Sequence, residues 1–149
     1  MSEQFGRFEG TTHILPLRVY YEDTDLSGVV YHANYLRYME RGRSEFFRTA
    51  GIARLAKLDA PEPTVWTLTR AQLDYFSPAR LDDLIEVRTR CVTLSGARMK
   101  AEQSVTREGK LLVRGEIEAC VITFSGKPRR IPAEVRECLL PFVCEQRPR

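Results

Sequence analysis

The residues of this chain best suited to catalysis lie between Tyr20 and Arg43, in the run YYEDTDLSGVVYHANYLRYMERGR. Two aspartates, Asp23 and Asp25, and one histidine, His32, come just before or at the start of the only long helical pattern. A helix N-terminus offers backbone N–H groups without intrahelical partners and a partial positive charge, which favour a developing oxyanion. A carboxylate beside it can act on the carbonyl carbon held there, as nucleophile or as base. These residue types in this order indicate acyl chemistry.

Asp25 has three interpretations on spacing alone. It could be a helix cap or a turn residue, as Asp often is near helix starts. It could belong to a calcium loop, because Asp23, Asp25, Ser27 and Gly28 occupy the first, third, fifth and sixth positions of an EF-hand. That loop requires Glu at position twelve, where this chain has Asn34, and a preceding helix where the pattern predicts a strand. Calcium is therefore excluded, and cap and catalyst stay open.

The two histidines receive different predictions. His32 could be a hydrogen-bonded histidine at a helix start, or a neutral imidazole that relays a proton, since its unperturbed pKa is about 6.5. His13 lies in a segment expected to be loose, and no role follows for it.

Residues further along the chain give weaker signals. Tyr75 and Ser77 fit the end of a strand and its turn as well as they fit a site. Arg98 and Lys100 alternate on one strand face, which is either solvated or in contact with a phosphate group.

Composition restricts the class of protein. The chain has 149 residues, 43% hydrophobic and 29% charged, with a net charge of +3, which fits one globular domain and gives no argument for nucleic acid. No apolar run approaches the roughly 20 residues of a membrane span, and the N-terminus lacks signal-peptide features. The cysteines have neither metal-ligand nor CxxC spacing, so they are expected to be reduced. A cytoplasmic location and an absence of bound metal are the resulting expectations.

The elements that must position these residues follow from periodicity. A first strand is predicted over Ile14–Tyr21, then a helix over Tyr31–Ala50 with an apolar stripe. Gly42 lies on that stripe, which predicts close approach to another backbone. The tract after Gly51 is a loop or short helix broken by Pro61 and Pro63. Four later strands are predicted, with hairpin turns between the last three: Thr64–Phe76, Leu84–Leu94, Ala97–Thr106 and Leu111–Phe124.

The predicted fold class is therefore α+β, with one long helix over an antiparallel sheet and a short C-terminal helix starting near Pro132. The whole of residues 1–149 forms one domain in this prediction, with flexible tails at 1–12 and 141–149.

The run VYYEDTDLSGVVYHANYLRYMERGRSEFFR resembles the signature of the acyl-CoA thioesterases associated with the Tol–Pal system (YbgC type). These belong to the 4-hydroxybenzoyl-CoA thioesterase branch of the hotdog fold. The resemblance continues through LDYFSPARLDDLIEV and covers roughly Leu15 to Pro132. It implies a hotdog fold, in which a five-stranded antiparallel sheet wraps around one long helix, and protomers that pair edge to edge and join into a homotetramer.

The resemblance also implies an activity, the hydrolysis of an acyl-CoA thioester without a cofactor. Asp25 falls on the family's catalytic carboxylate, and the N–H that polarises the carbonyl falls near Tyr31 or His32. His32 itself is typical of the aliphatic acyl-CoA type. The family's basic cluster for the coenzyme nucleotide falls near Ser95-Gly96-Ala97, where this chain lacks it. We expect substrate contacts at nine residues: Gly28, Val29, Val30, Tyr31, Tyr35, Tyr75, Ser77, Arg98 and Lys100.

Three alternatives concern substrate and role. The thioester could be carried by acyl carrier protein instead of coenzyme A. The chain could be a non-catalytic acyl-thioester-binding or envelope-associated scaffold. It could also be a hotdog dehydratase, whose chemistry uses a histidine with a carboxylate on the helix. In the thioesterase interpretation Asp23, being closer to the strand end, is expected to tolerate substitution by Asn.

Overall fold

The computed structural model describes residues 5–52 and 59–144. The described parts form a seven-stranded antiparallel sheet and two α-helices. In chain order the elements are β1 (Arg7–Glu9), β2 (Thr12–Arg18), α1 (Asn34–Thr49), β3 (Thr64–Tyr75), β4 (Leu84–Leu94), β5 (Arg98–Arg107), β6 (Lys110–Thr123), β7 (Pro128–Arg129) and α2 (Ala133–Leu139). Short 3-10 turns cover Tyr21–Asp23 and Leu140–Phe142.

The sheet follows the order β1-β2-β4-β5-β6-β3, and β7 pairs with one end of β6. The hairpins β4–β5 and β5–β6 occur at the predicted turns, because short Gly-containing loops reverse a strand at little cost. In the second hairpin Glu108 and Gly109 both adopt positive φ, 49° and 79°. The 12-residue β3 pairs with β6 on one side and forms one edge of the described sheet. The predicted α+β class and the hotdog arrangement of five long strands are confirmed, and β1 and β7 are additional short strands.

Helix α1 buries the predicted apolar stripe against the sheet. Its buried residues are Tyr35, Tyr38, Met39, Gly42, Phe46 and Phe47, which recur at helical spacing. Inward residues of β4 and β6 alternate with outward charged ones and meet this stripe, as in Ile85 and Val87. The core therefore lies between one helix and the concave face of one sheet.

Gly42 permits the closest approach between helix and sheet. A Cβ there would lie 2.7 Å from Val87 Cγ1 and 2.9 Å from Thr89 Oγ1. The close approach was predicted to involve another backbone. The nearest neighbours are instead side chains of β4, together with Gln103 Nε2 at 3.1 Å.

The predicted boundary of the tails is wrong on both sides. Residues 7–9 form β1 and pair with β2, so part of the segment expected to be flexible belongs to the sheet. Phe8 stacks on Phe142 at a ring-centroid distance of 4.0 Å, which fixes both ends to the same core. The Cys144 N–H donates to the Cys91 carbonyl at 2.8 Å. Tertiary aromatic contacts, which composition does not reveal, order these segments.

Two further boundaries differ from the predictions. The first strand ends at Arg18, and its predicted last residue, Tyr21, belongs to a 3-10 turn. Helix α1 begins at Asn34, three residues later than predicted. Of the predicted loop or short helix after Gly51, residues 53–58 lie outside the described residues.

Candidate active site

A loop over residues 19–33 connects β2 to α1 and contains both aspartates. Thr24 and Val30 form an antiparallel bridge, and the Asp25 N–H donates to the Val29 carbonyl at 2.9 Å. The Gly28 N–H donates to the Asp25 carbonyl at 3.1 Å. Gly28 has a φ of +78°, which glycine adopts without steric cost. The result is a small closed turn with residues 25–28 at its tip.

The tip presents the Asp25 carboxylate to solvent. Its Oδ1 accepts the Ser27 N–H at 2.8 Å and the Ser27 hydroxyl at 2.5 Å. These hydrogen bonds stabilise the charged form, so they lower the pKa of Asp25 below its usual value. The N-cap position of α1 is Ala33, so the helix-cap interpretation of Asp25 is wrong. Asp25 is an exposed, ionised carboxylate in a tight turn.

Asp23, two residues earlier, has the opposite environment. Its side chain is buried, with Oδ2 accepting the Tyr20 N–H at 2.8 Å and Oδ1 accepting the Asn34 side-chain amide at 3.0 Å. Its carbonyl accepts the Tyr31 N–H at 2.9 Å. We therefore expect Asp23→Asn to lower stability, since this side chain connects the end of the strand to the start of α1, while its smaller effect on turnover stays a prediction.

The N–H groups before α1 differ in availability. The Tyr31 N–H is used by the Asp23 carbonyl, and the Asn34 N–H donates to the Tyr31 carbonyl at 2.8 Å. Within residues 5–52 and 59–144, no backbone acceptor takes the His32 N–H. Of the two positions expected for the carbonyl-polarising donor, His32 is therefore the one with a free N–H.

An open cleft of about 260 Å³ lies beside this helix start. Its lining is mainly aromatic and apolar, and consists of Val30, His32, Tyr35, Tyr75, Phe76, Ser77 and Pro78. The Tyr75 hydroxyl donates to the His32 carbonyl at 2.8 Å. The cleft can accept an acyl group beside His32, the residue whose N–H has no backbone acceptor in the described residues.

A second loop, residues 77–83, holds the first one in place. The Val30 N–H donates to the Ala79 carbonyl at 2.8 Å, and the Leu81 N–H donates to the Gly28 carbonyl at 3.0 Å. Arg107 fixes this second loop by donating to Asp83 Oδ2 at 2.5 Å and to the Pro78 carbonyl at 3.3 Å. Burial alone would raise the pKa of Asp83, but hydrogen bonds from Arg80 and Arg107 outweigh it and lower that pKa.

The predicted site residues separate into two regions. Five of them line the cleft: Val30, His32, Tyr35, Tyr75 and Ser77. Asp25, Gly28, Val29 and Tyr31 belong to the adjoining loop.

Arg98 and Lys100 lie elsewhere in the described protomer. They occupy the end of β5 opposite Arg107, seven or more residues away, which at about 3.3 Å per residue is more than about 20 Å. Lys100 pairs with Glu118 at 3.3 Å. The predicted phosphate contact at these residues is therefore not part of this cleft.

Sequence reasoning missed three contributors to the site. Phe76 and Pro78 line the cleft, and the motif FSP beside Tyr75 was a local signal for them. Arg107 supports the second loop from a strand 24 residues after Asp83. No local pattern reveals that pairing.

In the parts of the chain that the structure describes, no group of three or more His, Cys, Asp or Glu side chains could hold a metal ion. No helix of the described segments is long and apolar enough to cross a membrane.

The chain matches known proteins over most of its length. Residues 27–113 match the family model of the thioesterase superfamily. A protein named acyl-CoA thioesterase YbgC, from Haemophilus influenzae, is 40% identical over 122 residues, which cover 81% of this chain and 89% of that protein.

Solved structures give the same picture. A probable thioesterase from Bartonella henselae superposes with a TM-score of 0.77 and 41% identity, covering 81% of this chain and 98% of that one. A thioesterase from Thermus thermophilus, complexed with coenzyme A and Zn, has a TM-score of 0.72 and 26% identity, covering 91% and 96% of the two chains.

Proposed function

The chain belongs to the thioesterase superfamily, and we propose that it hydrolyses an acyl-CoA thioester to the free acid and coenzyme A. The observation that carries this proposal is that one loop bears both an exposed, ionised Asp25 and, just before α1, a His32 N–H without a backbone acceptor in the described residues. The two groups lie on one hydrogen-bonded loop, which also contributes Val30 to the apolar cleft.

In this mechanism the thioester carbonyl points at the His32 N–H. The N–H and the positive end of α1 stabilise the negative charge that develops on the carbonyl oxygen. The Asp25 carboxylate either attacks the carbonyl carbon or takes a proton from the attacking water. In the first route the thiolate leaves from a mixed anhydride of Asp25 and the acyl group, which water then hydrolyses to the acid and free Asp25. In both routes the coenzyme A thiolate is protonated, so one water is consumed for each acid and thiol released. No cofactor enters these steps.

The cleft favours an aliphatic acyl group as substrate. Its walls are apolar and aromatic, and about 260 Å³ is enough for a short chain or one end of a longer one. His32, which the resemblance gives as typical of the aliphatic acyl-CoA type, also supports an aliphatic substrate. Acyl carrier protein is the alternative carrier, and a comparison of both thioesters tests it.

The dehydratase alternative is not supported by this arrangement. That chemistry combines a histidine with a carboxylate on the helix. Of the two carboxylates on α1, Glu45 pairs with Arg48 at 2.8 Å. Glu40 accepts the Ser44 hydroxyl at 2.7 Å and lines another cleft, formed with Phe47 and Trp66. His32 lines the cleft near Tyr75.

The proposal extends to assembly and location. The long β3 forms one edge of the described sheet, and an edge of 12 residues can pair with a second copy. We therefore propose at least a dimer, and a homotetramer as the complete assembly. We also propose a cytoplasmic location, which the free cysteines support, and an association with the Tol–Pal system, which the resemblance of the motif implies. Light scattering that finds a stable, fully active monomer would contradict the assembly.

A panel of thioesters tests the activity. Straight-chain acyl-CoA esters, benzoyl-CoA and acyl carrier protein thioesters are compared by thiol release with the wild type and with Asp25→Asn. We expect turnover of the aliphatic esters, and a loss of at least about a hundredfold in kcat for the variant. The exposed Glu22→Gln on the same loop is the matched control and should keep wild-type turnover. A wild type that binds these esters without releasing thiol would instead be a scaffold.

A further inference from the structure

The carbonyl of His32 is held by a side chain. His32 precedes Ala33, the N-cap residue of α1, so it stands outside the helix, and the Leu36 N–H donates to the Ala33 carbonyl at 3.2 Å. No backbone N–H of the described segments donates to the His32 carbonyl, and the Tyr75 hydroxyl does so at 2.8 Å. Tyr75 therefore supplies the hydrogen bond to the carbonyl of the same residue whose N–H has no backbone acceptor.

The peptide group that precedes His32 and carries its N–H is also held by hydrogen bonds. The Tyr31 N–H is taken by the Asp23 carbonyl, and the Tyr31 carbonyl accepts the Asn34 N–H. The Tyr31–His32 peptide is thus fixed before His32, and the Tyr75 hydroxyl fixes the carbonyl after it. Without the Tyr75 hydroxyl, the peptide group before His32 would still be fixed, but the His32 carbonyl after it would lose its hydrogen bond.

Tyr75 is itself firmly placed. It ends β3, and the next residue, Phe76, donates its N–H to the Leu112 carbonyl at 2.8 Å. Its ring meets the edge of Tyr35 at a centroid distance of 5.6 Å. The Tyr35 hydroxyl in turn accepts the Ala79 N–H at 3.0 Å, which connects this pair to the loop that supports Val30. Because Tyr75 is held by β3 and by Tyr35, its hydroxyl can restrain the backbone of the turn at His32.

We propose that Tyr75 is a positioning residue for the oxyanion donor: its hydroxyl aligns the His32 N–H with the thioester carbonyl. This inference rests on the proposed thioesterase function and assigns Tyr75 a role beyond lining the cleft. Removal of an oxyanion donor costs about a hundredfold or more in kcat, and a donor that is present but less well aligned costs less. Tyr75→Phe keeps the ring and removes the hydroxyl, so we expect about a tenfold loss in kcat with KM changed less than about twofold.

The first measurement compares Tyr75→Phe with Tyr21→Phe, a matched loss of an exposed hydroxyl on the neighbouring loop. Thermal melting shows whether each variant is folded. A tenfold fall in kcat in Tyr75→Phe alone supports the proposal. A rise in KM at constant kcat would show that Tyr75 only contacts substrate, and equal rates in both variants would show that its hydroxyl does nothing; either result overturns it.

The second measurement is spectroscopic and does not depend on turnover. An acyl-CoA with a 13C-labelled carbonyl is bound to Asp25→Asn, with and without Tyr75→Phe, and its carbonyl stretch is recorded by infrared difference. An aligned N–H polarises the carbonyl and lowers its stretching frequency. We expect the added Tyr75→Phe to return the band toward its position in water. An unchanged band would overturn the inference for Tyr75 while leaving the thioesterase function intact, whereas an inactive wild type would overturn both.

Discussion

The two ends of α1 place the chain's two histidines in opposite environments. His32 precedes the first turn, is exposed, and stands beside the open cleft. His13 packs near the last turn, where its Nε2 lies 3.3 Å from Thr49 Oγ1, and its side chain is 0% exposed among Phe8 and Phe46. The difference shows that the same side chain serves the core at one end of the helix and remains available to a ligand at the other.

The two aspartates of the β2–α1 loop, near His32, show the same contrast between a buried and an exposed side chain. Asp23 is buried and accepts hydrogen bonds from Tyr20 and Asn34. Asp25 is exposed and bonds only within its own turn, to Ser27 and Val29. Burial therefore separates a group that supports the loop from a group that can react.

At the C-terminal end of α1, the largest expected effect is a loss of stability at low pH, caused by the buried His13. Burial lowers its pKa to about 4, against 6.5 in an unfolded chain. As pH falls from about 6.5 to about 4, the unfolded chain takes up a proton that the folded chain does not, so the free energy of unfolding decreases by up to about 3 kcal/mol.

Urea unfolding at pH 7 and pH 4.5 measures this loss, with His13→Phe as the control that cannot titrate. We expect the wild type to lose more stability than the variant over this interval. At pH 7 the kcat of the variant should be unchanged, because the 16-residue helix separates the two ends by about 24 Å. Equal losses in both proteins would show that other groups cause the acid sensitivity.

His32→Ala should have a smaller effect at the reactive end. The variant keeps the backbone N–H that we assign to the oxyanion and loses only the ring, which contacts Tyr31 at a centroid distance of 4.4 Å. We expect kcat to fall by roughly three- to tenfold, measured by thiol release. A loss as large as that of Asp25→Asn would show that the imidazole itself performs acid–base catalysis.

Ser27→Ala should have the smallest effect, visible mainly in the pH profile. It removes the hydroxyl that donates to Asp25 Oδ1, so the pKa of Asp25 rises. The acidic limb of kcat/KM then moves to higher pH, while the rate at pH 7 changes by less than about twofold because Asp25 stays ionised. Thr24→Val, which removes a hydroxyl bonded to the Tyr21 carbonyl, is the control and should leave the limb in place.

The sequence predicted those features that depend on local patterns. Alternation placed Ile85 and Val87 inward, helical spacing gave the buried face of α1, and glycine turns gave the hairpins. Strand β1 was missed because Phe8 is ordered by Phe46 and Phe142, which are distant in sequence.

The candidate site was predictable where the motif is continuous, from Asp25 to His32. The contrast between Asp23 and Asp25 was not, because both are aspartates in one turn-like run and only the fold buries the first. The phosphate contact at Arg98 and Lys100 stays a prediction, because alternation identifies a strand face and not which end of the strand meets the cleft.

The central claim is that Asp25 performs the chemistry while Asp23 supports the loop. It is tested most directly by measuring urea unfolding and kcat for Asp25→Asn and Asp23→Asn side by side. We predict that Asp25→Asn keeps wild-type stability and loses at least about a hundredfold in kcat. Asp23→Asn should lose about 1–3 kcal/mol of stability, because Asn offers one acceptor oxygen where two N–H donors need one each, and should keep kcat within about tenfold. An Asp25→Asn protein that folds normally and turns over near the wild-type rate would contradict the account.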